Sequence, residues 1–110
     1  MSEKNWISVC EHQDLLPDTG LCALVNNRQI ALFNSRRINE VFAVSNYDPI
    51  GEANVLSRGI LGSVGDAIVV ASPLYKQRFN LRTGACLEKP EYQLNVYPVR
   101  IADGLIQIQI

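Results

Sequence analysis

Apolar residues recur along this chain in short runs, and glycines, prolines and polar pairs break them. Trp6-Ile7-Ser8-Val9-Cys10 reads as a first strand, and Glu11–Leu16 as a single helical turn stopped by Pro17 and the turn Asp18-Thr19-Gly20. Two runs, 21–25 and 28–33, flank Asn26-Asn27, which suits a tight hairpin because Asn tolerates the positive φ such turns need. Residues 40–45 form a further strand rich in Val and Phe, and 67–71, AIVVA, has the look of a buried strand. Residues 79–81 lead into the turn Arg82-Thr83-Gly84. Residues 93–102 and 105–110 flank Asp103-Gly104, a strong hairpin signal. In the last run Ile106, Ile108 and Ile110 alternate with Gln107 and Gln109, so one face is buried and the other wet. The apolar parity slips between Val96 and Val99 around Pro98, which predicts a bulge or a chain end at a sheet edge.

The segment 46–65, NYDPIGEANVLSRGILGSVG, holds four of the seven glycines and no clean period. It reads as loop with one short strand, and Gly59-x-x-Gly62-x-x-Gly65 as flexible loop rather than a dinucleotide fingerprint. Helix signal is weak throughout. The pattern predicts an all-β chain, an antiparallel sandwich or small barrel.

Composition narrows the function classes. At 110 residues the chain fits one domain, spanning 1–110, with room for its own core. A net charge of -1 gives no ground for nucleic-acid or anionic-membrane binding. MSEKNWISVCEH is acidic and lacks an apolar core, so it does not read as a signal peptide, and no apolar run nears the ~20 residues of a membrane span. The expected compartment is the cytoplasm. Cys10, Cys22 and Cys86 are odd in number and scattered, a poor disulfide framework, and are expected to be buried reduced thiols away from the loops. His12, the single His, reads as solvated, and so do Asp48, Glu88 and Glu91, which have no evident partner.

One segment carries more specific information. Residues 72–87, SPLYKQRFNLRTGACL, keep Pro73, Phe79, Thr83 and Gly84 in the spacing of the second ligand loop of a Rieske-type cluster, C-P-x-H-x-x-x-F-x-x-x-T-G. Ser72 stands at the Cys position and Tyr75 at the His position. In the loop after 40–45, Asn46 aligns with the first Cys and Asp48 with the first His. The stretch between the loops, 49–71, is longer than in the family, with an insertion around Gly59 to Gly65. An amide, a carboxylate, a hydroxyl and a phenol replace two thiolates and two imidazoles, so the chain is expected to hold no cluster and no metal.

The chain thus resembles a Rieske-like ferredoxin over nearly its whole length. The strings SNYDPIG (45–51), SPLYKQRF (72–79) and LRTGACLE (81–88) are, more narrowly, similar to the small-subunit family of bacterial NAD(P)H-dependent nitrite reductases. That resemblance implies a β-sandwich with a degenerate cluster-binding subdomain at 46–84. It also implies a cytoplasmic enzyme that reduces nitrite to ammonia, with FAD, a [4Fe–4S] cluster and sirohaem in a large subunit and no cofactor in this chain. No catalytic residue is expected here.

The tip of such a domain is its docking end. Tyr47, Pro49, Leu74 and Tyr75 would supply apolar surface there, and Arg58, Lys76 and Arg78 a charged rim, the composition of a protein–protein patch. In the bland alternative, Tyr75 fills the volume of the lost cluster, Asn46 and Asp48 cap turns, and Ser72 bonds the neighbouring backbone. Two other functions stay open on the residues alone: a stand-alone binding or regulatory domain on a Rieske-like fold, and an electron carrier with an unrecognised cofactor.

Overall fold

Ile30, Ala31, Leu32 and Phe33 follow one another with no polar residue between them, and all four are fully buried. A strand with one wet face alternates; a strand covered on both faces has no need to. Their strand, β3 (Arg28–Ser35), lies inside an antiparallel sheet of order β10-β4-β3-β2, with β10 at Val96–Tyr97, β4 at Glu40–Ser45 and β2 at Gly20–Val25. Ile30 and Leu32 enter one core, with Val25, Val41, Ala43, Ile106 and Ile108. Ala31 and Phe33 enter a second, with Val44, Leu56, Val70, Phe79 and Leu81. Burying each large apolar side chain contributes roughly 1.5–3 kcal/mol, so the sheet anchors both halves of the molecule. This computed structural model describes residues 5–110; the first four positions of the MSEKNWISVCEH segment lie outside the described residues.

The first core is closed by a three-stranded sheet of order β1-β12-β11, with β1 at Trp6–Glu11, β12 at Leu105–Gln109 and β11 at Val99–Ala102. Ile106 and Ile108 are fully buried, as their alternation predicts. On the other face Gln107 links all three strands. Its Nε2 donates to Ser8 Oγ at 3.0 Å, and its Oε1 accepts from Arg100 Nε at 2.6 Å. The Arg100 guanidinium also lies 4.4 Å from the Trp6 ring centroid, a cation–π contact across the sheet.

The second core is closed by a smaller subdomain. It holds the pair β5 (Tyr47–Asp48) and β6 (Ala53–Asn54), and a three-stranded sheet of β7 (Ile60–Val64), β8 (Ala67–Ala71) and β9 (Arg78–Asn80). One-turn 3-10 helices stand at His12–Asp14 and Leu56–Arg58. The architecture is all-β and antiparallel, as the sequence pattern predicts.

Both hairpin signals fold as expected. Asn26 and Asn27 have φ of 50° and 63°, and Asp103 and Gly104 have 53° and 76°. The parity slip at Pro98 has a larger cause than a bulge: the chain leaves β10 at the edge of one sheet and enters β11 at the edge of another. The flexible-loop reading of Gly59–Gly65 is wrong. Ile60–Val64 pairs with β8 along its whole length, from Ile60↔Ala71 to Val64↔Ala67. Glycine lowers the intrinsic strand preference there, and the neighbouring β8 supplies the ladder that the local sequence does not announce.

Candidate functional site

Two loops meet at the end of the small subdomain: the turn after β4, residues 46–52, and the loop 72–77 between β8 and β9. In the first, the chain turns sharply at Asp48-Pro49-Ile50-Gly51. Asp48 Oδ1 accepts the backbone N–H groups of Ile50 at 2.8 Å and Gly51 at 3.0 Å, an Asx turn. In the second, the N–H of Ser72 donates to the Gln77 carbonyl at 2.9 Å, and the N–H of Lys76 to the Ser72 carbonyl at 3.0 Å. Lys76 adopts φ of 61° to complete that turn.

The two loops are joined directly. Ser72 Oγ donates to Asp48 Oδ2 at 2.5 Å and accepts the Leu74 N–H at 3.3 Å. Asp48 is 0% and Ser72 1% exposed, so the pair is sealed from water. Gly51 lets the loops approach: a Cβ built there would lie 2.4 Å from Leu74 Cδ1 and 3.0 Å from Asp48 Oδ2. A side chain at position 51 would therefore push Leu74 off the first loop.

The sequence grouped Asn46, Asp48, Ser72 and Tyr75 as degenerate ligand positions. The structure brings Asp48 and Ser72 together and sends the other two elsewhere. Asn46, also buried, turns toward β2 and β3. Its Nδ2 donates to Gln29 Oε1 at 3.0 Å and lies 3.5 Å from Cys22 Sγ, and its Oδ1 accepts the Ser57 N–H at 2.7 Å. Tyr75 is 65% exposed, so it does not fill a vacated cluster volume.

A [2Fe–2S] cluster does not fit this donor set. None of the four positions offers a thiolate or an imidazole. The Asp48 carboxylate and Ser72 hydroxyl already satisfy one another, and the Asn46 amide is consumed by its own neighbours. Among the described residues no group of three or more His, Cys, Asp or Glu side chains converges as a metal site.

Several readings of individual residues need correction. Asp48 is not a solvated carboxylate, because an Asx turn and a facing hydroxyl give its buried oxygens three donors. Glu88 also has a partner: its carboxylate accepts the Arg78 N–H at 2.8 Å and pairs with Arg78 Nε at 2.6 Å. The Arg78 backbone N–H, with the guanidinium adding to it, holds the Glu88 carboxyl below its ordinary range. Only Cys86 is a fully buried thiol; Cys10 is half-buried and Cys22 exposed, and all three are free. Cys22 is also not remote from the loops, because the hairpin folds β2 back until its sulfur meets Asn46. Phe79 is a core ring, and Thr83-Gly84 a turn capped by Asn80 Oδ1, as the spacing suggests.

The tip residues differ in exposure. Tyr47 and Leu74 are each 44% exposed, and Arg58, Lys76 and Arg78 are also exposed, while Pro49 is half-buried. Ligand spacing alone does not announce the bond between Asp48 and Ser72. The run D-P-I-G, a turn opened by an acid, was its only local sign.

Comparison with known proteins places this geometry. Residues 5–109 match the Rieske-like [2Fe-2S] domain family. The nitrite reductase (NADH) small subunit of Escherichia coli K12 is 42% identical over 104 residues, covering 94% of this chain and 96% of that protein. The solution structure of the E. coli protein NirD superposes with a TM-score of 0.89 at 41% identity, covering 98% of each chain. A Klebsiella oxytoca protein named nitrite reductase [NAD(P)H] large subunit is 38% identical over 108 residues, which are 98% of this chain and 11% of that one. By fold and by sequence over almost its full length, the chain belongs to the Rieske-like domain family and, within it, to the nitrite reductase small subunits.

Proposed function

We propose that this chain is the small accessory subunit of a cytoplasmic NAD(P)H-dependent nitrite reductase, serving the reduction of nitrite to ammonia in nitrate assimilation. It works as one domain whose 46–84 segment is a cluster-binding subdomain turned to docking. It carries no redox centre; the FAD, [4Fe–4S] and sirohaem chemistry belongs to the large subunit on which it sits.

The observation that carries this reading is the Asp48–Ser72 bond. Two positions that hold a metal cluster in Rieske proteins are here bonded to each other and sealed from water. The bond keeps the loops in register without iron, and so preserves the shape of the tip. On that tip Tyr47, Leu74 and Tyr75 leave large apolar surface in water, edged by Pro49, Lys76 and Arg78. Exposed Tyr beside Arg is the composition of interface centres. The Klebsiella oxytoca relative supports the choice of partner, since there the same domain lies within a large-subunit chain.

A pull-down from nitrite-grown anaerobic cells, with the visible spectrum of the eluate, tests the reading. The expected result is co-purification of a large sirohaem flavoprotein, with no iron assignable to the small chain. A chain recovered alone and colourless would favour a stand-alone binding domain. A coloured chain recovered alone would favour an electron carrier.

A further inference from the structure

The tip does not end at the two loops. A groove of about 430 Å³ runs from Tyr47 to Leu24 and Arg28 on the β2–β3 hairpin. Its walls carry the amides of Asn27, Asn54 and Asn95, and among the described residues no acidic side chain lines it. Leu24 is 71% exposed, which for a leucine on a strand calls for an explanation. It also lines a second groove, of about 370 Å³, that follows β2 alongside β1. Leu24 therefore joins the tip to the open edge of β2.

That edge is unusually bare. β2 is the last strand of its sheet, and among the described residues its backbone bonds only to β3. Natural edge strands are usually blocked by charge, proline or a bulge. The β2 sequence, GLCALV, has no charge and no proline, and its register with β3 is unbroken. The facing edge strand β1 is blocked, by a bulge between Ser8 and Cys10. Arg28, at the end of this track, makes no ion pair among the described residues.

We propose that β2 and the Leu24–Tyr47 groove receive an extended segment of the large subunit, which adds a strand to β2 and sets an acidic side chain against Arg28. The proposal rests on the accessory-subunit reading and names its recognition mode. Main-chain pairing along an exposed edge supplies affinity, and flanking side-chain pockets supply specificity. Charge decides between occupants. A second copy pairing through its own β2 would bring GLCALV, which has no acid, and the flanking Asp18, whose carboxylate already accepts the Arg36 N–H at 3.0 Å. An acidic segment answers Arg28, and among the described residues the lining offers no competing carboxylate. Continuity with the tip argues for the same partner.

The test is the affinity of the full chain for purified large subunit, measured across a salt series, for wild type, Leu24→Asp and Arg28→Glu. Both side chains are exposed, so both variants are expected to keep the wild-type circular dichroism and melting point. If Leu24→Asp does not fold, Arg28→Glu decides alone. The proposal expects about tenfold or greater weakening in each, with a flatter salt dependence for Arg28→Glu. Wild-type affinity in both variants overturns the groove and leaves the accessory-subunit reading standing. No binding by the wild type overturns both. A dimer of the isolated chain that Leu24→Asp dissociates, with large-subunit affinity unchanged, assigns the edge to a second copy and overturns the occupant named here.

Discussion

Ser72 donates its hydroxyl proton to Asp48 at 2.5 Å, across the gap that separates two loops 24 residues apart in sequence. Both residues are buried, Asp48 at 0% and Ser72 at 1% exposure. The bond ties the turn after β4 directly to the loop between β8 and β9.

Removing either partner should loosen the tip. Ser72→Ala leaves one buried carboxylate oxygen without its donor and is expected to cost about 1–3 kcal/mol. Asp48→Ala strands the Ser72 hydroxyl and two backbone N–H groups, for a loss of roughly 3 kcal/mol. Asp48→Asn keeps the turn acceptor and gives Ser72 an amide donor, so it should cost least. Urea unfolding ranks the three, and amide exchange should accelerate most at Ile50 and Gly51 in Asp48→Ala and at Leu74 in Ser72→Ala, each of which removes those amides' acceptor.

Stability should depend on acid through Glu88. The Arg78 N–H lowers its folded pKa, so the stabilisation is present above the unfolded value of about 4.5 and is lost as pH falls through the folded value. The gap in melting temperature between wild type and Glu88→Gln should therefore narrow with falling pH below that point. A gap unchanged through this range would show that the pair contributes nothing.

The thiols should react in order of exposure. Cys22 is predicted to label first with a thiol reagent near neutral pH. Cys10 should lag, because burial, with Asp14 adding to it, pushes its thiol up. Cys86, 1% exposed, should label only on unfolding. Peptide mass spectrometry over a time course reads the order directly.

Leu74 packs over Gly51 with part of its side chain in water, so a charge there should spoil docking more than folding. Leu74→Asp is expected to weaken binding to the large subunit by about tenfold or more while changing the melting temperature of the free chain little. Full assembly with this variant would remove the tip from the interface.

What the sequence makes legible follows from how local each signal is. The Asn26-Asn27 and Asp103-Gly104 hairpins need only their own backbone preferences, and both fold as read. Strands 40–45 and 67–71 announce themselves by the apolar runs VFAV and AIVVA, and their bounds match. Ile60–Val64 is missed because its partner, β8, and not its own composition, makes it a strand. Pro98 gives away an irregularity but not a change of sheet, which depends on where β4 and β12 lie. In the site, the ligand spacing locates Asp48 and Ser72 but says nothing of the bond between them. Asn46 and Cys22 are 24 residues apart in sequence, and only the β2–β3–β4 order reveals that they touch.

The central claim is that the tip, closed by Asp48 and Ser72, is the end that docks. Amide exchange of this chain, free and bound to the large subunit, tests it most directly. The account predicts that binding slows exchange chiefly in residues 46–52 and 72–78, with further protection along β2 if that edge is occupied. Unchanged exchange in both loops, with protection confined to the β1-β12-β11 sheet, would contradict it.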